Sequence, residues 1–194
     1  MIQGTAPGLH AFFRMLGVYT NKRIQPDEKL NPDPNAPFTY MNTPLLDVRV
    51  RKALNRAIDR DALNKAFIGG KGETIHNLYF HQTRPGWNPD WPTKFKDAYG
   101  YDPAAAKQLL ADAGYEPAKP LTITMQLRPY PAFTGILDID EAVANYWQAI
   151  GVQVKLEQAD AAEFTAKDRQ AAYDDHVYGV ATSVRQLLGV GIYN

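Results

Sequence analysis

The sequence predicts an α/β domain in which a mostly parallel sheet is flanked by helices. Three observations lead there. Residues 121–127 (LTITMQL) and 152–156 (VQVKL) alternate apolar and polar side chains, as half-buried strands do. Between them Ile136, Ile139, Val143, Tyr146, Trp147 and Ile150 recur at helical period, and Gly151 closes the run. Beyond the second strand a capped helical segment leads to a third strand, residues 176–182. Strand–helix–strand–helix–strand with short connections favours parallel strands joined by right-handed crossovers. In such sheets ligands sit beyond the carboxyl ends of the strands.

The elements follow in chain order. Residues 9–18 (LHAFFRMLGV) are apolar enough for a strand or a short helix. Residues 21–37 carry Pro26, Pro32, Pro34 and Pro37 among charges and predict an exposed loop or linker. After a short extended stretch at 38–42, Asp47 is placed to cap a helix, its carboxylate accepting from free backbone N–H groups. Val50, Leu54, Ala57 and Ile58 form the buried stripe of that helix, which is expected to run on to Gly69-Gly70. Arg49, Arg51, Lys52, Arg56 and Arg60 fall off the stripe and predict a solvated face. Residues 71–98 are expected to form a long loop carrying Tyr79, His81, Trp87 and Trp91, and so long a loop is more often functional than idle. Asp102-Pro103 predicts a second helix start, with Ala106, Leu109, Leu110 and Ala113 as its apolar face and Gly114 as its left-handed terminator. Asp160-Ala-Ala-Glu163 has capping-box spacing and opens a helix to about residue 172.

At 194 residues, 45% hydrophobic and 22% charged, the chain has the composition and length of one soluble globular unit. Its 21 Lys and Arg balance 21 Asp and Glu. No net field recruits nucleic acid or an anionic membrane, and no apolar run is long enough to span a bilayer. The absence of cysteine rules out disulfides, thiolate-bound zinc and thiol catalysis, and it suits an oxidising compartment. No secretory signal is visible at the first residues.

Catalytic motifs are missing. Ser183 is the only serine and lacks a G-x-S-x-G elbow. Gly69-Gly-Lys-Gly72 does not meet the phosphate-loop pattern. His76 and His81 lie near Glu73, yet no H-E-x-x-H and no third close ligand accompany them, so no metal or cofactor is expected. Asp138, Asp140 and Glu141 read as the acidic first turns of a helix. The aromatics are the better lead, because rigid aromatic walls with a few polar groups are what ligand pockets use. For Trp87 and Trp91 an equal alternative is that they pin the long loop to the core.

Two stretches carry a family resemblance. Asp47-Val-Arg-Val-Arg-Lys-Ala-Leu-Asn-Arg-Ala-Ile-Asp-Arg60 and Tyr101-Asp-Pro-Ala-Ala-Ala-Lys-Gln-Leu-Leu-Ala-Asp-Ala-Gly-Tyr115, in this order and spacing, resemble the extracytoplasmic solute-binding proteins of family 5. Those proteins serve peptide, nickel and oligosaccharide ABC importers. Gly151-Val152 and Tyr173-Asp174 follow in the order the family has, so the likeness covers roughly residues 38–182. It implies one lobe of a type 2 periplasmic-binding-protein fold. Residues 38–194 would be the ligand-binding lobe, and residues 1–37 a linker or a remnant of the crossing from another lobe. In this fold two lobes close on a ligand about a hinge, so affinity needs both.

The resemblance also implies where the ligand lies. His176, Tyr178, Thr182, Ser183 and Arg185 fall at the carboxyl end of the third strand, and Tyr79 and His81 in the long loop. Peptide-binding members tend to follow the Tyr-Asp strand with Gly-Trp and, three residues on, an Asp that holds the peptide amino group. Here Val180 follows Gly179, and Ser183 occupies the acidic position. An α-amino group would lose a charge-assisted bond of about 1.5–3 kcal/mol, which disfavours ordinary oligopeptides. Arg185 offers instead a partner for a carboxylate, phosphate or sugar hydroxyl.

The expected function is therefore not enzymatic. A periplasmic or extracytoplasmic lobe would bind a modified peptide, a sugar or a similar small molecule for delivery to an ABC permease through the full-length protein. It would contact no nucleic acid and insert in no membrane. The alternatives are a ligand-sensing domain of a transcription regulator with the same fold, and an unrecognised α/β enzyme.

Overall fold

The computed structural model describes residues 10–15, 19–21, 38–40, 43–76, 82, 86–129, 135–160, 162–164 and 176–182. The described residues form six strands: β1 (His10–Met15), β2 (Tyr19–Asn21), β3 (Phe38–Tyr40), β4 (Thr122–Leu127), β5 (Gln153–Gln158) and β6 (His176–Thr182). Among the described residues five α-helices accompany them: α1 (Val48–Arg56), α2 (Arg60–Ile68), α3 (Trp91–Tyr99), α4 (Pro103–Asp112) and α5 (Ile136–Ala149). The main sheet has the order β1-β6-β4-β5, and β2 pairs with β3 in a separate antiparallel ribbon. Strand β4 is parallel to both neighbours, from Thr122↔Gln153 to Leu127↔Gln158 on one side and from Thr124↔His176 to Gln126↔Tyr178 on the other. Parallel neighbours need a crossover, and α5 supplies the one between β4 and β5. The mostly parallel α/β sheet is thus as the alternation predicts.

Its antiparallel edge is new. Residues 10–15, for which the sequence allowed a strand or a short helix, form β1, which pairs with β6 from His10↔Thr182 to Met15↔Val177. Part of the 1–37 segment is thereby built into the main sheet.

The core lies where the two helical stripes meet the sheet. Val50, Leu54, Ala57 and Ile58 are all buried, together with Leu45, Ala106, Leu110, Ile123, Met125, Val143, Trp147 and Val177. Trp147 is the largest of these side chains, and its indole N–H donates to the Leu54 carbonyl at 2.9 Å, fastening α5 to α1. The edge of Phe13 meets the same indole, with ring centroids 5.8 Å apart, so one tryptophan joins α1, α5 and β1. Gly114 (φ +90°) and Gly151 (φ +97°) hold left-handed conformations just past α4 and α5, as the sequence predicts.

Three expectations are corrected. The helix from Asp47 does not continue to Gly69: it ends at Arg56, and α2 begins anew at Arg60. Asp59 causes the break. Its backbone is extended and its carboxylate accepts from the Ala62 N–H at 2.9 Å, a local bond that competes with helix continuation. The long loop is also shorter than expected, because residues 91–99 form α3. Pro92 falls in the first turn of α3, where a missing N–H costs nothing.

The third correction concerns the arginine face, which is not simply solvated. Arg51 donates to the Leu45 and Leu46 carbonyls at 2.6 and 2.7 Å, and Arg56 donates to the Asp97 carbonyl. Arg49 reaches the Asp112 carbonyl at the end of α4. Arg60 bonds Asn55 and the Asn55, Ile58 and Tyr99 carbonyls, and lies 5.1 Å from the Phe95 ring. The cations satisfy carbonyls at or near helix ends that the helices leave unpaired.

At the second helix start Asp102 caps α4 through the Ala105 N–H at 2.9 Å, and its own N–H donates to the Arg56 carbonyl at 2.8 Å. Asp102→Ala removes the first bond and keeps the second. The expected loss is about 1 kcal/mol, to be read as a lowered denaturant midpoint with an unchanged slope.

Candidate functional site

In a sheet of this kind the ligand edge lies at the carboxyl ends of β4, β5 and β6. The strand β6 is interior, with β4 on one side and β1 on the other. Of the seven residues singled out from the sequence, His176, Tyr178 and Thr182 lie on β6, but His176 opens that strand at its amino end and not at the carboxyl end expected of it. In register they stand beside Thr124, beside both Gln126 and Arg14, and beside His10. Tyr79, His81, Ser183 and Arg185 lie outside the described residues.

Several described side chains at this edge are polar or aromatic. Gln126, one residue before the end of β4, is 4% exposed, and its amide donates to the Glu157 carboxylate of β5 at 2.7 Å. The backbone of Tyr178 is next in register, so Arg14, Tyr178, Gln126 and Glu157 make one row across four strands. Just past β4 the Arg128 guanidinium lies 5.3 Å from the ring of buried Phe164. Phe164 is fixed by the turn that Asp160 opens, where one carboxylate oxygen accepts from the Ala162 and Glu163 N–H groups at 3.0 and 2.9 Å. The predicted cap is therefore formed.

Such an edge can hold a solute by hydrogen bonds, charge and ring contact. Among the described residues no three His, Cys, Asp or Glu side chains come together in a way that could hold a metal ion. Among them, too, no helix is long and apolar enough to cross a membrane.

Two of the loop aromatics, Trp87 and Trp91, join a separate cluster. The edge of Trp87 meets Trp91 with centroids 5.2 Å apart, and His76 meets Trp87 and Phe95 at 6.1 and 5.4 Å. Phe95 in turn receives Arg60. The cluster ties the described part of the loop onto α3 and α2, outside the buried core to which the pinning alternative assigned it. Burial in this cluster pushes the His76 imidazole below its ordinary range, with Glu73 opposing the shift. A groove of about 420 Å³ lies between α2 and α5, lined in part by Leu63, Phe67, Ala142 and Tyr146, and none of the seven predicted residues is among its described lining.

Gln126, Glu157, Arg128 and Phe164 were missed by sequence reasoning. Strand alternation marks Gln126 and Glu157 only as polar positions, and their pairing is set by register, which no local signal carries. Asp140 was misplaced too. It sits four residues after Ile136 and three before Val143, inside the apolar stripe, and it is fully buried. The helical period was the signal that could have found it.

Comparison with known proteins gives a consistent result. The model of the bacterial extracellular solute-binding proteins, family 5 Middle, matches residues 16–186. The dipeptide-binding protein of Escherichia coli (strain K12) is 30% identical over 166 residues, which is 81% of this chain and 30% of that protein. The periplasmic murein peptide-binding protein MppA of the same organism is 34% identical over 125 residues, covering 63% of this chain and 22% of its own. The structure of HbpA2 from Haemophilus parasuis is similar with a TM-score of 0.58 at 25% identity, covering 90% of this chain and 30% of that one. The chain thus spans less than a third of the length of each of these relatives.

Proposed function

Because the chain belongs to the bacterial extracellular solute-binding proteins of family 5, we propose that it is the ligand-binding lobe of a protein that delivers a solute to an ABC importer. The match across residues 16–186 carries the reading. Residues 38–194 form the body of the lobe, residues 10–15 add the edge strand of its sheet, and the rest of residues 1–37 carry the crossing from another part of the full-length protein. The protein works outside the cytoplasm and performs no chemistry on its cargo. Names of binding proteins among the relatives, one of them periplasmic, favour delivery over sensing or catalysis.

The solute is peptide-like or a similar small molecule, held at the carboxyl edge of β4 and β6. Tyr178 and Tyr79 supply ring contacts, while Thr182, Ser183, Arg185 and His81 supply polar or ionic ones. Val180 and Ser183 stand where peptide binders tend to carry Trp and Asp, which favours a modified peptide or a sugar over a free-amino oligopeptide. The full-length protein, isolated from its source cells, is expected to release a copurified small molecule on denaturation, seen by mass spectrometry. Titration calorimetry with that molecule should then give one site. A protein that carries and binds no solute, whether peptide, modified peptide or sugar, contradicts the reading.

A further inference from the structure

Asp140 lies in the buried stripe of α5, between Ile139 and the side chains of Val143, Ala144 and Trp147. It is 0% exposed, and neither carboxylate oxygen has a hydrogen-bond partner among the described residues. An ionised carboxylate in such a place is expensive, and a protein relieves the cost by keeping the group neutral. The helix dipole gives little help, because Asp140 stands beyond the first turn of α5, where the effect has faded.

Among the described side chains, the other charged groups on the elements packed around α5 offer no remedy. On α5 itself Asp138 and Glu141 are exposed and of the same sign. Strand β4 carries no titratable residue, and Arg128, which follows it, lies over Phe164. On β5 Lys155 and Glu157 are exposed, and Glu157 accepts from Gln126. On β6 His176 and Tyr178 occupy the register positions on either side of core residue Val177, and on β1 Arg14 and His10 pair with Tyr178 and Thr182. On α2 Asp61 and Lys65 are exposed and Arg60 is bound to carbonyls. On α1 Arg49, Arg51 and Arg56 are committed to carbonyls elsewhere, and Lys52 is half-buried.

We propose that Asp140 is a built-in proton switch that couples the docking of α5 on the sheet to external pH, tight when the carboxyl is protonated and loosened when it ionises. Burial, reinforced by the like charge of Glu141, raises its folded-state pKa to about 7. The sign follows from which state holds the proton. The folded chain keeps it to about pH 7, whereas the unfolded chain releases it near pH 3.9. Stability therefore falls as pH rises between those values and levels off above the higher one. From pH 5 to pH 8 the unfolding equilibrium constant should grow by about a hundredfold from this group alone. A lobe outside the cytoplasm meets the pH of the medium, so this device favours the docked state in mildly acid surroundings. That consequence rests on the proposed location, whereas the switch itself does not.

Two measurements on the purified protein decide the matter. Denaturant unfolding at pH 5 and pH 8 should show the wild type losing stability by that factor relative to Asp140→Asn, which carries no ionisable proton there. Titration of ¹³C-labelled aspartate carboxyls in the wild type should show one midpoint near 7, and this stands even if the variant does not fold. Equal pH dependence in both proteins, or aspartate midpoints that all lie below about 5, would overturn the proposal.

Discussion

Replacing Trp147 by alanine is expected to destabilise the fold by about 3–5 kcal/mol, a large part of the stability of an ordinary domain. The indole is 1% exposed and sits where α1, α5 and β1 meet. Truncation opens a cavity between them and leaves the Leu54 carbonyl without the indole N–H that bonds it at 2.9 Å. Trp147→Phe separates the two losses. It keeps most of the ring and its edge contact with Phe13 but removes the donor, so it should cost about 1–3 kcal/mol. Denaturant midpoints of the three proteins check this order. A phenylalanine variant as unstable as the alanine one would mean that the hydrogen bond, and not the packing, holds α5 to α1.

Tyr178→Ala is expected to weaken solute binding by the full-length protein at least tenfold, equivalent to about 1.4 kcal/mol. The position is chosen by topology. Its backbone stands in the interior of the sheet beside Gln126, at the row that ends with Glu157. The fitting control is Gln153→Ala, at the start of exposed edge strand β5 and at the opposite end of the parallel strands, which should leave affinity unchanged. Calorimetric titration of both variants with the copurified solute reads the difference. Equal affinities would move the ligand away from β6.

The fold was legible wherever a local period and a cap agreed. Asp47, the stripe Val50–Leu54–Ala57–Ile58, the Asp102-Pro103 start and the alternating β4 and β5 all formed as the residues dictate. Legibility failed where one local signal had two outcomes. Asp59 could be a solvated charge or a new cap, and its geometry chose the cap. Pro92 could break a helix or sit in its first turn, and it sits in the first turn. The arginines off the stripe met carbonyls from α3, α4 and the turn before α1, partners up to 63 residues away that periodicity cannot foresee.

The candidate site was less legible for the same reason. Strand alternation and order indicate which edge would bind, but β6 is set beside Gln126 and Arg14 only by long-range register. Thr182, at the carboxyl end of β6, has its partner in His10, 172 positions back along the chain (182 − 10).

Uptake by the source cells tests the central claim most directly. Cells lacking the full-length gene should fail to accumulate the radiolabelled form of the copurified solute. The wild-type gene should restore uptake, and the Tyr178→Ala gene should restore it only at raised solute concentration. Uptake at wild-type rates in the deletion strain, with the protein found in the cytosol, would contradict delivery to an importer.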